Sequence, residues 1–163
     1  MKNKKEKEVK QNEKQKNSMI FECHYVPKTL EPRINEFLKA LLHNDIFLLH
    51  AEKFPDINFI EVNFISDMKI QKLNSKFRKI NKPTDVLSFN LHLIAEIDIS
   101  LDQIKYNCKS LALDLYEEIE RCLIHGCLHI FGFDHTEKLT VLTITSEPMF
   151  LIQEKILQQC HIK

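Results

Sequence analysis

Apolar side chains recur along this chain at two spacings, every three to four residues and every two, which predicts a mixture of helices and strands. Residues 20–25 read as a short first strand. Glu31-Pro32 opens a helical run through roughly His50, with Pro32 tolerated in the first turn and Ile34, Phe37, Leu38, Leu41 and Leu42 on one stripe. Residues 57–65, INFIEVNFI, are rich in β-branched and aromatic residues and alternate imperfectly, as a strand does. Ser66 offers an N-cap for a helix from Asp67 to about Phe77 carrying Met68, Ile70, Leu73 and Phe77. Pro83 breaks the chain, Val86 to Phe89 and Ile94 to Leu101 read as strands, and a short helix follows from Asp102 to about Ser110. A helix from about Asp114 to about Phe131 comes next. Thr145 or Ser146 caps a last one ending near Gln159, with Phe150, Leu151, Ile156 and Leu157 on its buried side. Strands that alternate with helices in this way imply α/β or α+β layering.

The helix from Asp114 ends in the most distinctive stretch, HGCLHIFGFDH at residues 125–135. Gly126 and Gly132 are the only two glycines in the sequence, and both lie inside it. Asp114 and Glu117 have capping-box spacing at the helix start, so the helical register at its other end is defined. In that register His125 and His129, four residues apart, stand one above the other on one face. Gly132 permits the left-handed turn that stops the helix and folds His135 back toward them. Three neutral imidazoles around zinc leave a fourth tetrahedral position open, which is the catalytic rather than the structural arrangement. Gly126 sits beside the first ligand, where a bulky side chain would crowd metal or substrate. The spacing matches the metalloprotease pattern H-E-x-x-H-x-x-G-x-x-H except that Gly126 replaces the glutamate that serves as general base.

Composition narrows the setting. One domain of 163 residues, 44% hydrophobic, suffices for a single core. Five cysteines without a C-x-x-C pair give neither a disulfide framework nor a cysteine zinc site, and Cys122 and Cys127 read as buried small side chains. No long apolar run or signal-peptide core is present, so the expected location is the cytoplasm, away from membranes. The formal net charge is zero but uneven: residues 1–18 hold seven Lys and three Glu, leaving 16 basic and 20 acidic residues in the rest. The first 18 residues are too polar to fold and form an expected disordered tail, with residues 19–163 as the single folded domain. A nucleic-acid role does not follow from overall charge.

Three segments, taken together, resemble the YbeY family of bacterial endoribonucleases that act in ribosomal RNA maturation. They are Leu73-Asn74 with Phe77-Arg78, then Pro83-Thr84-Asp85-Val86-Leu87-Ser88-Phe89, then HGCLHIFGFDH, in the family's order and spacing. Met149-Phe150 and Gln153-Glu154 look like the family's final helix, whereas Ala95-Glu96-Ile97 stands where the family usually has Gly-Asp-Ile. The resemblance implies an α+β domain, a small mixed sheet packed by helices with a zinc site at the end of a central helix. It implies one zinc ion per chain on His125, His129 and His135, with His125 and Arg78 as the catalytic residues. Arg78 would on its own read as a surface residue or structural ion pair; its planar, permanently charged fork nonetheless suits a phosphate. Asp134 is either an orienting partner of a ligand imidazole or a helix-end cap, and Asp85 and Ser88 shape the loop near Arg78.

The implied activity is zinc-dependent, single-strand-specific cleavage of RNA in 16S rRNA 3′-end maturation and ribosome quality control. The partners would be ribosomal RNA and the 30S subunit, with ribosomal proteins or assembly GTPases beside them. Two other functions stay open: a metallohydrolase of an amide or ester bond, and a non-catalytic ribosome-assembly factor with structural zinc.

Overall fold

The computed structural model describes residues 19–134 and 147–161. Strand Ile20–His24 (β1) is followed by helices Glu31–Leu41 (α1) and Asp45–Ala51 (α2), strand Phe59–Ile65 (β2) and helix Asp67–Arg78 (α3). Strands Val86–Asn90 (β3) and Ile94–Ser100 (β4) precede helices Leu101–Leu111 (α4), Leu115–Ile130 (α5) and Pro148–His161 (α6). The Lys-rich stretch 1–18, His135, and the proposed caps Thr145 and Ser146 lie outside the described residues.

The strands form one sheet in the order β1-β2-β4-β3. The first three run parallel, and β3 pairs antiparallel at the edge, so the sheet is mixed and the domain is α+β. On one face Ile60, Val62 and Phe64 stand opposite Ala95, Ile97 and Ile99, all buried. The other face carries Glu61 and Asn63 opposite Glu96 and Asp98. Alternation at period two thus splits each strand into an apolar and a polar side, and the apolar side fixes the register.

Helix α5 lies on the apolar face and buries Ile119, Leu123, Ile124 and Leu128. Each such fully buried side chain contributes roughly 1.5–3 kcal/mol of transfer free energy. Gly126 is needed for this packing: a Cβ there would stand 3.0 Å from Ile97 Cγ2 and 3.2 Å from Ile97 Cδ1. The glycine therefore serves the contact between helix and sheet, and the expectation that it keeps space free around a metal is corrected.

Two further expectations change. The single helix expected from Glu31 to about His50 is two, because Asn44 leaves helical geometry and its side chain accepts from Phe47 N at 3.0 Å, capping α2. The stripe of α1 is as expected, with Ile34, Phe37, Leu38 and Leu41 buried. Helix α6 buries Met149, Gln153, Ile156 and Leu157, whereas Leu151 is 54% exposed. Ile156 and Leu157 are thus inward as expected, Leu151 is not, and the polar Gln153 is buried beside them.

Candidate metal centre

Asp114 caps α5 by accepting from Tyr116 N and Glu117 N, both at 3.0 Å. The cap sets the register, and Glu117, Arg121, His125 and His129 then follow at four-residue intervals along one ridge. The carboxylate of Glu117 pairs with Arg121. Further along, the rings of His125 and His129 meet edge to face with centroids 4.6 Å apart, and their Nε2 atoms are 3.0 Å apart.

Each ring is oriented through its other nitrogen. His129 Nδ1 lies 2.8 Å from Phe133 O, and His125 Nδ1 lies 3.0 Å from Gln153 Oε1. A carbonyl oxygen only accepts, so Nδ1 must carry the proton and donate in both cases. In the neutral rings both Nε2 atoms are then acceptors facing one another, a pair suited to a shared proton or a metal ion between them. Two nitrogens on a tetrahedral zinc would be about 3.3 Å apart. Ring nitrogens with Nδ1–H held by a carbonyl are also the usual state of metal-binding histidines. The residues present fit a divalent metal ion.

The helix end makes the His129 contact. Gly132, at φ +79°, donates to His129 O at 3.0 Å, and Phe133 N donates to Leu128 O at 3.0 Å. This pair of bonds closes the helix and turns the Phe133 carbonyl back over the last turn. The third expected ligand, His135, lies two residues beyond, outside the described residues. Among the described residues no group of three or more His, Cys, Asp or Glu is placed to hold a metal. Cys122 and Cys127 are buried in the core, where burial pushes both thiols up. That environment suits small apolar packing rather than thiolate ligation.

Arg78, the last residue of α3, is exposed and shares a cleft of about 370 Å³ with Ser88, Asn90, His129 and Asp134. Lys79 takes a left-handed conformation at φ 62°, ending α3 directly after the arginine. The buried Asn74 holds the following turn by donating to Lys82 O at 2.8 Å, and the Phe77 ring packs on Phe89 with centroids 5.0 Å apart. Asn90 Nδ2 donates to Ile130 O at 3.4 Å, joining β3 to the end of α5. Arg78 is thus brought to the histidine ridge by secondary structure on both of its flanks.

Asp85 has a packing task, accepting from Val86 N at 2.9 Å, Thr84 Oγ1 at 3.1 Å and Asn107 Nδ2 at 3.3 Å. It also borders a second cleft of about 510 Å³, on the side of His125 that faces α6. Ala95 is buried opposite Ile60, and Glu96 accepts from Asn63 Nδ2 at 2.9 Å on the opposite sheet face. Of the Ala-Glu pair that replaces the family's Gly-Asp, Glu96 thus points away from α5, whereas Ala95 lies on the face that α5 covers, paired with Asn90 at the edge of the Arg78 cleft. Gln153 and the Phe133 carbonyl, the two acceptors that orient the rings, were absent from the sequence reading of the site. A glutamine at an apolar-spaced position of the last helix was the available signal.

The model of the family described as "Endoribonuclease YbeY" matches residues 22–161. A protein of that name from Borreliella afzelii is 34% identical over 128 residues, covering 69% of this chain and 82% of the relative. One from Treponema denticola is 32% identical over 146 residues, covering 82% of this chain and 86% of the relative. A Thermotoga maritima protein with a known solution structure aligns at a TM-score of 0.55 and 23% identity, over 86% of this chain and 89% of that one. That likeness concerns the fold.

Proposed function

The chain belongs to the endoribonuclease YbeY family, and from that premise we propose that it is a metal-dependent hydrolase of single-stranded RNA. Endoribonuclease activity comes with the family; zinc, one ion per chain on His125, His129 and His135, is our assignment. The single observation that carries it is the approach of the two Nε2 atoms to 3.0 Å, with both Nδ1 atoms against carbonyl oxygens. When bound, the ion supplies Lewis acidity toward a phosphoryl oxygen and makes water nucleophilic near neutral pH.

The chain's own residues do the rest. Gln153 and Phe133 O hold the imidazoles in the ligand tautomer. Arg78, in the same cleft as His129, presents a planar fork to phosphate oxygens and is best used where negative charge grows in the transition state. Peptide hydrolysis fits less well, because the position of the protease glutamate is Gly126, where a Cβ already meets Ile97. As substrate we propose 16S ribosomal RNA at its 3′ end, handled on the 30S subunit with ribosomal proteins or assembly GTPases as partners, in ribosome maturation and quality control. No helix among the described residues is long and apolar enough to cross a membrane.

The test compares the parent with Arg78→Ala and Arg78→Lys on single-stranded RNA, with zinc content measured alongside. Arg78→Ala should keep zinc and fold and lose on the order of 10²-fold in cleavage, with lysine restoring little. Parental cleavage by Arg78→Ala would remove the arginine from the mechanism. Absence of cleavage by every protein, with binding to 30S subunits intact, would replace the enzyme by an assembly factor.

A further inference from the structure

The geometry points to Glu154 and Arg121 as positioning residues that set the tautomer of His125 through the side-chain amide of Gln153, an inference that rests on the metal reading above. Gln153 is 6% exposed and stands between His125 and Glu154. Its amide has two ends of similar shape and opposite chemistry. With the carbonyl toward His125, Nδ1 must carry the proton and Nε2 keeps its lone pair. With the NH₂ toward His125, Nδ1 must accept, the proton moves to Nε2, and the ring can no longer be a ligand on the side that faces His129.

Nothing in the histidine or the glutamine decides between these states, and a free neutral histidine favours the proton on Nε2. The neighbour decides. Gln153 Nε2 donates to Glu154 Oε1 at 3.1 Å, and an ionised carboxylate has only acceptors to offer. The NH₂ end is therefore drawn toward Glu154, and the carbonyl is left for His125.

Glu154 is in turn held in place by a permanent cation. Arg121 Nε donates to Glu154 Oε1 at 3.0 Å and Arg121 Nη2 to Glu154 Oε2 at 3.3 Å, two bonds from one planar fork. Glu118 accepts from Arg121 Nη1 at 3.3 Å, and Glu117 closes the remaining side of the guanidinium. Arg121 stands one helical turn before His125 on the same ridge of α5. The order of charge, carboxylate, amide and imidazole thus runs from α5 to α6 and back, and converts a salt bridge between two helices into a defined lone pair on Nε2.

A purely structural clasp between the helices would use the same ion pairs, so the test must read the tautomer. The variants are Glu154→Gln, whose amide can offer either end to Gln153, and the double change Gln153→Glu with Glu154→Gln. In the double variant the carboxylate at position 153 can only accept from Nδ1–H, whatever stands at position 154. Two measurements are made on the full chain: the His125 tautomer in metal-free protein from two-bond ¹H–¹⁵N spectra, and zinc affinity by chelator competition. Glu154→Gln should shift His125 toward the Nε2–H form and weaken zinc by about tenfold or more, and the double variant should reverse both changes. Weaker zinc with an unchanged tautomer, no loss at all, or no recovery in the double variant would each overturn the proposal. Zinc binding by His129→Ala at parental strength would instead defeat the metal reading, and the metal-free spectra would still judge the relay.

Discussion

His125 and His129 are neighbours on one helix, yet their rings are held by different kinds of structure. The acceptor for His129 is a backbone carbonyl four residues on, delivered by the glycine turn that ends its own helix. The acceptor for His125 is a side chain on α6, separated by 28 residues of sequence. The first contact is local and survives whatever α6 does. The second exists only when α5 and α6 are docked, so one half of the candidate centre depends on the helix stop and the other on tertiary packing.

The largest expected effect comes from removing either ring. His129→Ala should take zinc from about one ion per chain to below about 0.1 when measured on purified protein, because two remaining imidazoles hold the ion poorly. Cys127→Ala should leave zinc content at the parental value, since that side chain faces the core. Equal losses in the two variants would contradict the ligand assignment.

The two glycines separate the helix stop from the sheet contact. Gly132→Ala forces a Cβ into the left-handed region and to within 3.2 Å of Phe54 Cζ. It should cost about 1–2 kcal/mol in urea unfolding. It should also weaken zinc, because the Phe133 carbonyl moves with the turn. Gly126→Ala crowds Ile97 and should cost about 1–3 kcal/mol. Its zinc affinity should change far less than that of Gly132→Ala, and the reverse ranking would show that position 126 belongs to the centre after all.

The smallest effect lies on the far face of the sheet. Burial, and secondarily Glu96, raises the Asp98 carboxyl from its ordinary 3.8 to about 6, and its Oδ1 has no hydrogen-bond partner among the described residues. Between about pH 4 and 6 the folded chain keeps a proton that the unfolded chain has released, so stability falls as pH rises through that window. Asp98→Asn should remove this dependence and raise stability at pH 7 by about 1 kcal/mol, with zinc content unchanged. A stability profile against pH that keeps its parental slope would show that Asp98 does not titrate there.

The same division explains what could be read from the sequence. The capped helix, the stacked pair His125 and His129, and the stop at Gly132 follow from local spacing and local chemistry, and the structure has them where the pattern placed them. The break at Asn44 was missed because the apolar stripe runs on across it, and only the cap, a side-chain choice, ends the run. On α6, Ile156 and Leu157 are buried as their spacing predicts, but Leu151 is exposed and Gln153 turns inward, where it bonds to a histidine on another helix. Gly126 was assigned to the centre from its place beside His125, but a glycine's neighbour in space is set by the helix facing the sheet. Arg78 near the histidines came from resemblance rather than periodicity, since it depends on how α3 and β3 pack against α5.

The most direct test of the account is a zinc titration of ¹⁵N-histidine-labelled protein followed by two-bond ¹H–¹⁵N spectra. Before zinc, His125 and His129 should both show the proton on Nδ1; one equivalent of zinc should shift the Nε2 resonances of both rings and leave their Nδ1–H signals in place. An Nε2–H tautomer for either ring in the metal-free protein, or a zinc-induced shift at Nδ1 instead, would contradict it.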